Sequence, residues 1–137
     1  MNFDELEEKI KKNADILANV INESEGSPGK LDYSEESISV LEKYIEIVID
    51  KGMLAKQNPE LMNKYVNLAG SYLGEVIRKN LGGRYEIPND GIFKGSVVLA
   101  DIGNVEMISP FGKVRKRFKN GKEDDIEFYY KVIKNRR

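Results

Sequence analysis

The chain has 137 residues, 40% of them apolar and 33% charged, with no Cys, no His and no Trp. That length and balance suit a domain able to bury a core, and the missing residues exclude disulfides, thiol nucleophiles, His-based general bases and the commonest zinc ligand. The net charge of −1 hides a gradient, from 13 acidic and 5 basic side chains in residues 1–50 to 4 acidic and 10 basic in residues 111–137.

From Asn2 to about Glu23, Phe3, Leu6, Ile10, Ala14, Leu17, Val20 and Ile21 recur at steps of three and four, which predicts one apolar face of a helix. Asn2 or Asp4 can cap it, and the early acids suit the positive end of its dipole. There is no basic lead and no apolar run, so a signal peptide is not expected. No stretch nears the length of a membrane span, and the cytoplasm is the expected compartment. Ser24 to Lys30 reads as a loop.

Asp32 and Glu35 have the spacing of a capping box for a second helix, with Ser34 as an alternative cap. Ile38, Leu41, Ile45 and Val48 form its inner stripe, Tyr44, Ile47 and Ile49 widen it, and Gly52 stops it. Asn58-Pro59-Glu60 starts a third helix of about 22 residues, closed by Gly82 and Gly83. Past Gly83 the period shortens. RYEIP, IFKGSVVLADI and VEMIS read as three strands of an antiparallel meander, joined at NDG and GN, with Gly95 marking a bulge. Pro110 opens a helix holding Val114 and Phe118, and Ile126, Tyr129, Tyr130 and Ile133 share one side of the last helix. Lys134, Arg136 and Arg137 are expected to fray.

The predicted architecture is α+β in a single domain, 1–137. Three N-terminal helices (1–83) pack on a three-stranded antiparallel sheet (84–109), with one or two C-terminal helices (110–137).

Three groups of residues are candidates for function. The first lies in GSYLGEVIRKNLGG, where Gly70 and Gly74 sit four apart in a helix, at about 1 kcal/mol each relative to Ala. Either another element crosses close over them or a groove opens there. Glu75 and Arg78 form a surface i,i+3 pair if they face water, and a polar site with Tyr72 and Tyr85 if they face inward. A His-free enzyme would use Glu75 and Tyr72 with Arg78. The double glycine is no phosphate loop, because it follows a helix instead of preceding one.

The second group is the acidic face of the first two helices, including Glu35, Glu42 and Glu46, which suits a basic protein partner. The third is the basic run Lys113, Arg115, Lys116, Arg117 and Lys119. If helical, its Lys113, Lys116 and Arg117 share a face opposite Val114 and Phe118. That face is a solvated surface, an internal match for the acidic helices, or a nucleic-acid strip. Asp101, Asp124 and Asp125 lack the order of a calcium loop, so no metal and no cofactor is expected.

LDYSEESISVLEKYIE with SYLGEVIRKNLGGRYE, and SPFGKVRKRFKNGKEDDIEFYY, resemble a group of small uncharacterised bacterial proteins. Some of these lie near secreted-toxin loci in the manner of immunity proteins. The resemblance covers most of the chain after Lys30 and implies an intracellular protein that binds another protein, with no catalytic residue to carry over. The expected function is therefore non-enzymatic protein binding, such as neutralising a toxin domain through Tyr72, Gly74, Glu75, Arg78, Glu35, Glu42 and Glu46. Nucleic-acid binding through the basic run is the alternative. A second copy of the chain is a further candidate partner, and a membrane is not.

Overall fold

The computed structural model describes residues 2–52 and 58–137. Helices α1 (Phe3–Glu23), α2 (Ser37–Asp50) and α3 (Pro59–Leu81) lead into strands β1 (Arg84–Glu86), β2 (Val98–Ile102) and β3 (Val105–Ile108). Helix α4 (Pro110–Asn120), a 3-10 turn over Gly121–Asp124 and helix α5 (Ile126–Arg136) complete the order. The sheet is antiparallel in the order β1-β2-β3, so the α+β meander is as expected.

Local chemistry sets most helix ends. Asn2 accepts the Glu5 N–H at 2.8 Å and caps α1. Asn58 accepts from Leu61 at 3.1 Å, with Pro59 in the first turn of α3, where its missing N–H costs nothing. Gly82, at φ 100°, closes that helix. The entry to α2 departs from expectation. Asp32 accepts from Ser34, whose hydroxyl in turn accepts the Ser37 N–H, and no capping box forms. Glu35 points instead to α5.

Helix α3 is the axis of the fold. Every residue from Ala69 to Ile77 is buried, so this stretch has no solvent face. Helices α1 and α4 pack most extensively on it, and α2 and β2 also touch it. The facing stripes are Leu6, Ile10, Ala14, Leu17 and Ile21 on α1, and Ile38, Leu41, Ile45 and Val48 on α2. Phe3 and Val20, expected on the inner face of α1, are 63% and 55% exposed. Both lie at the edge of a stripe that Ala18 fills instead.

The glycines on this axis admit close neighbours. A Cβ on Gly70 would stand 2.5 Å from Phe111 Cδ1 and 3.1 Å from its Cα, where α4 crosses. A Cβ on Gly74 would stand 2.9 Å from the Tyr85 hydroxyl. No groove opens there.

The sheet differs from expectation in length. Residues 92–97 lie outside β2, and Gly95, expected as a bulge, donates its N–H to Pro88 O at 2.9 Å within a loop. Ile92 in that loop is 93% exposed, and the pairing of β2 with β1 begins only at Val98. Asp101 adopts φ 58°. Strict alternation would turn Asp101 inward beside Leu99. The positive φ shifts the phase, so Asp101 is exposed and Ile102 enters the core. The C-terminal residues are tied, not frayed, because the Arg137 carbonyl accepts from Asn104 N–H at 3.1 Å on the β2–β3 turn.

Gly70→Ala gains about 1 kcal/mol of helix propensity but meets α4 backbone, an overpacking cost of about 1–3 kcal/mol. The expected outcome is a net loss of stability, seen as a lower urea midpoint. A midpoint at or above that of the parent protein would show that α4 can move away.

Candidate functional site

Glu75 and Arg78 face inward. Glu75 is 1% exposed, and its two oxygens receive Arg78 Nε at 2.9 Å and Nη2 at 3.1 Å, with the Tyr85 hydroxyl at 2.7 Å. The Glu75 hydrogen bond raises the Arg78 pKa, and burial, then Glu75, pushes the Tyr85 phenol far up. Arg78 also leans toward Glu7 on α1, at 4.0 Å. This triad joins α3 to β1 and α1. Its donors and acceptors are matched to one another, as a buried polar group requires.

Tyr72 is not part of it. Its hydroxyl accepts the Tyr33 N–H at 2.9 Å and shares a 2.7 Å hydrogen bond with Ser37. The Ser37 proton goes to Ser34 O at 2.7 Å, so Tyr72 is the donor in that pair. Tyr33 has φ 67°, a costly conformation for a bulky residue. Four further contacts hold it there. Its ring stacks on Tyr72 at 4.9 Å, Lys79 Nζ sits 3.9 Å from the ring centroid, Asn80 donates to its carbonyl at 2.9 Å, and its hydroxyl donates to Asp15.

The basic run does not form one face. Arg117 is fully buried among α2, α4 and α5. Its Nε and Nη2 clamp the Glu42 carboxylate at 2.7 and 2.8 Å, and Nη2 also donates to Glu46. Glu42 further accepts the Ile126 N–H at 3.3 Å. These bonds, Glu42's first, hold the Arg117 pKa well above its usual value. Nη1 finds no acceptor among the described residues. Lys113 pairs with Asp124 at 3.0 Å and Arg115 donates to Asn63 at 2.8 Å. Lys116 and Lys119 alone of the run are exposed. The expected shared face of Lys113, Lys116 and Arg117 is therefore overturned, because Arg117 points with Val114 and Phe118 into the core. Glu42 and Glu46, expected as partner contacts, are its counter-ions.

A groove of about 390 Å³ lies between the start of α2 and α5. Glu35, Tyr130 and Lys134 meet along it. The Tyr130 hydroxyl donates to Glu35, and Lys134 Nζ lies 3.0 Å from the same carboxylate. The Tyr130 bond first, and Lys134 second, hold the Glu35 pKa below its ordinary 4.5. Sequence reasoning missed the groove because its walls come from segments nearly a hundred residues apart. Among the described residues no helix is long and apolar enough to cross a membrane, and no group of three potential metal ligands forms. Compared with known proteins, the chain matches no family model, no curated protein and no solved structure.

Arg117→Leu leaves the half-buried Glu42 without its cation. It should lower stability in chemical denaturation, by less than the roughly 3–5 kcal/mol that breaking a fully buried pair costs. Changing Glu42 and Glu46 to Leu alongside it should recover much of that loss. A single variant as stable as the parent would show that the clamp contributes nothing. The pH dependence has a definite sign. A carboxyl lowered in the folded state stabilises above its ordinary pKa and loses that contribution as pH falls through the folded value. Stability should therefore drop below the ordinary 4.5 of Glu35, and Glu35→Gln should make the drop shallower. Identical pH profiles for the two proteins would remove Glu35 as a contributor.

Proposed function

We propose that this chain is a non-enzymatic protein-binding domain whose partner presents a basic surface. One observation carries the reading, namely how the fold sorts its charges. Three of the ten C-terminal cations, Lys113, Arg117 and Lys134, pair with Asp124, with Glu42 and Glu46, and with Glu35. On α1, Glu7 pairs with Lys11 and lies 4.0 Å from Arg78, while Asp4, Glu5 and Glu8 are exposed. Phe3, 63% exposed among them, offers an aromatic anchor inside an acidic patch. An acidic patch around an apolar anchor speeds and orients docking of a basic protein.

The resemblance to immunity-like bacterial proteins supports one form of this reading, in which the partner is a toxin domain neutralised inside the cell. Glu75 supports the non-enzymatic part, since its two oxygens already accept from Arg78 and Tyr85 and it is 1% exposed. A general base must instead reach the proton it abstracts.

The test is affinity capture from lysate of the source cells, run in parallel with the parent protein and an Asp4→Lys, Glu5→Lys, Glu8→Lys variant. The expected outcome is a basic protein, identified by mass spectrometry, that the parent protein retains at low salt. It should be released as ionic strength rises and be absent from the variant. A parent protein that enriches nothing over the variant would overturn the proposal.

A further inference from the structure

The groove between the start of α2 and α5 has an apolar floor and unequal acids. Ile38 and Tyr130, which line it, are 2% and 5% exposed. Glu35 is engaged by Tyr130 and Lys134. Glu36 and Glu127 also line the groove, and neither is in an ion pair among the described residues. Phe128 follows Glu127 and is 68% exposed. On a helix surface it neighbours Lys131, three residues on, but it does not itself line the groove.

We propose that this groove receives an arginine side chain of a basic protein partner. The inference rests on the protein-binding reading and adds the chemistry of one contact. The aliphatic stem of an arginine suits the floor made by Ile38 and Tyr130. Its planar guanidinium donates in a fork that matches carboxylates, here Glu36 and Glu127. Lysine offers a compact, strongly hydrated charge without the fork, so it fits less well. Lys131 lines the same groove without an ion pair among the described residues and opposes an incoming cation. That opposition gives the proposal a sign to test.

The experiment is an NMR titration of the ¹⁵N-labelled protein with end-blocked Gly-Arg-Gly, Gly-Lys-Gly and Gly-Gln-Gly peptides. The arginine peptide should give saturable shifts at the amides of Glu36, Glu127 and Phe128, with a dissociation constant on the order of 1 mM. The lysine peptide should bind several-fold more weakly, and the glutamine peptide should leave these amides unmoved. Glu127→Gln should weaken arginine binding and Lys131→Gln should tighten it, with the rest of each spectrum showing that the fold is kept.

No shift at these amides up to about 10 mM peptide, or equal shifts with glutamine, would overturn the proposal. So would weaker binding by Lys131→Gln, or shifts that follow protein concentration, which would mark a second copy as the occupant. If the groove fails while a charge-dependent partner is still captured, the protein-binding reading stands without it. If capture fails as well, both fall.

Discussion

The burial of α3 on all sides is the constraint on which the other features depend. A helix in the middle of a domain of this size must meet neighbours around its whole circumference. Between Ala69 and Ile77 it has no position at which a polar group can simply reach water. Small residues must therefore appear where neighbours cross, and Gly70 and Gly74 stand under Phe111 and Tyr85. Whereas the Ser71 hydroxyl has no partner among the described residues, the larger polar residues bring theirs with them. Glu75 does so through Arg78 and Tyr85, and Tyr72 through Ser37 and the Tyr33 backbone. The costly backbone of Tyr33 follows from the same constraint. Its N–H satisfies the buried Tyr72 hydroxyl, while Asn80 and Lys79 on the end of α3 hold its carbonyl and ring.

The second organising effect is electrostatic. The acid-to-base gradient along the chain becomes contact in space, as α2 supplies Glu42 and Glu46 to Arg117 of α4, and Glu35 to Lys134 of α5. An arginine without exposure is tolerated because its fork closes on one carboxylate and reaches a second. Such a clamp is weak evidence for stability in itself, since an apolar trio of similar volume can do as well. Its stronger effect is on register. Only one rotation and height of α4 along α2 lets Arg117 meet residues four apart on that helix, while the same Glu42 takes the first N–H of α5.

Helix existence, most caps and the meander were legible in the sequence because each rests on neighbours within a few residues. Asn58-Pro59 and Gly82 mark the ends of α3 by their own chemistry. The errors have one physical source, long-range contacts that override local pattern. Ile92 and Phe93 read as strand from composition, but no neighbouring strand pairs with them. Asp32 and Glu35 had capping-box spacing, but Glu35 found Tyr130 and Lys134, and Asp32 found Ser34. Helical position alone could have separated Arg117 from Lys116, since Arg117 falls three residues after Val114 and next to Phe118. Its high charge argued the other way, and only the two carboxylates of α2, more than seventy residues earlier, reverse that argument.

The proposed function rests on what this matching leaves over. The fold pairs three of its ten C-terminal cations, Lys113, Arg117 and Lys134, with acids, and leaves acid over on α1 and at the groove's Glu36 and Glu127. An internal fit would bring such acids to cations, as it brings Glu42 to Arg117. Exposed Phe3 and Phe128 each stand next to such an acid in the chain, Asp4 and Glu127. An isolated aromatic in water gains by being covered, and an isolated carboxylate gains little by being moved. When both stand together, the cover that satisfies them is apolar at its centre and cationic at its edge. The side chain that combines those properties on one stem is arginine.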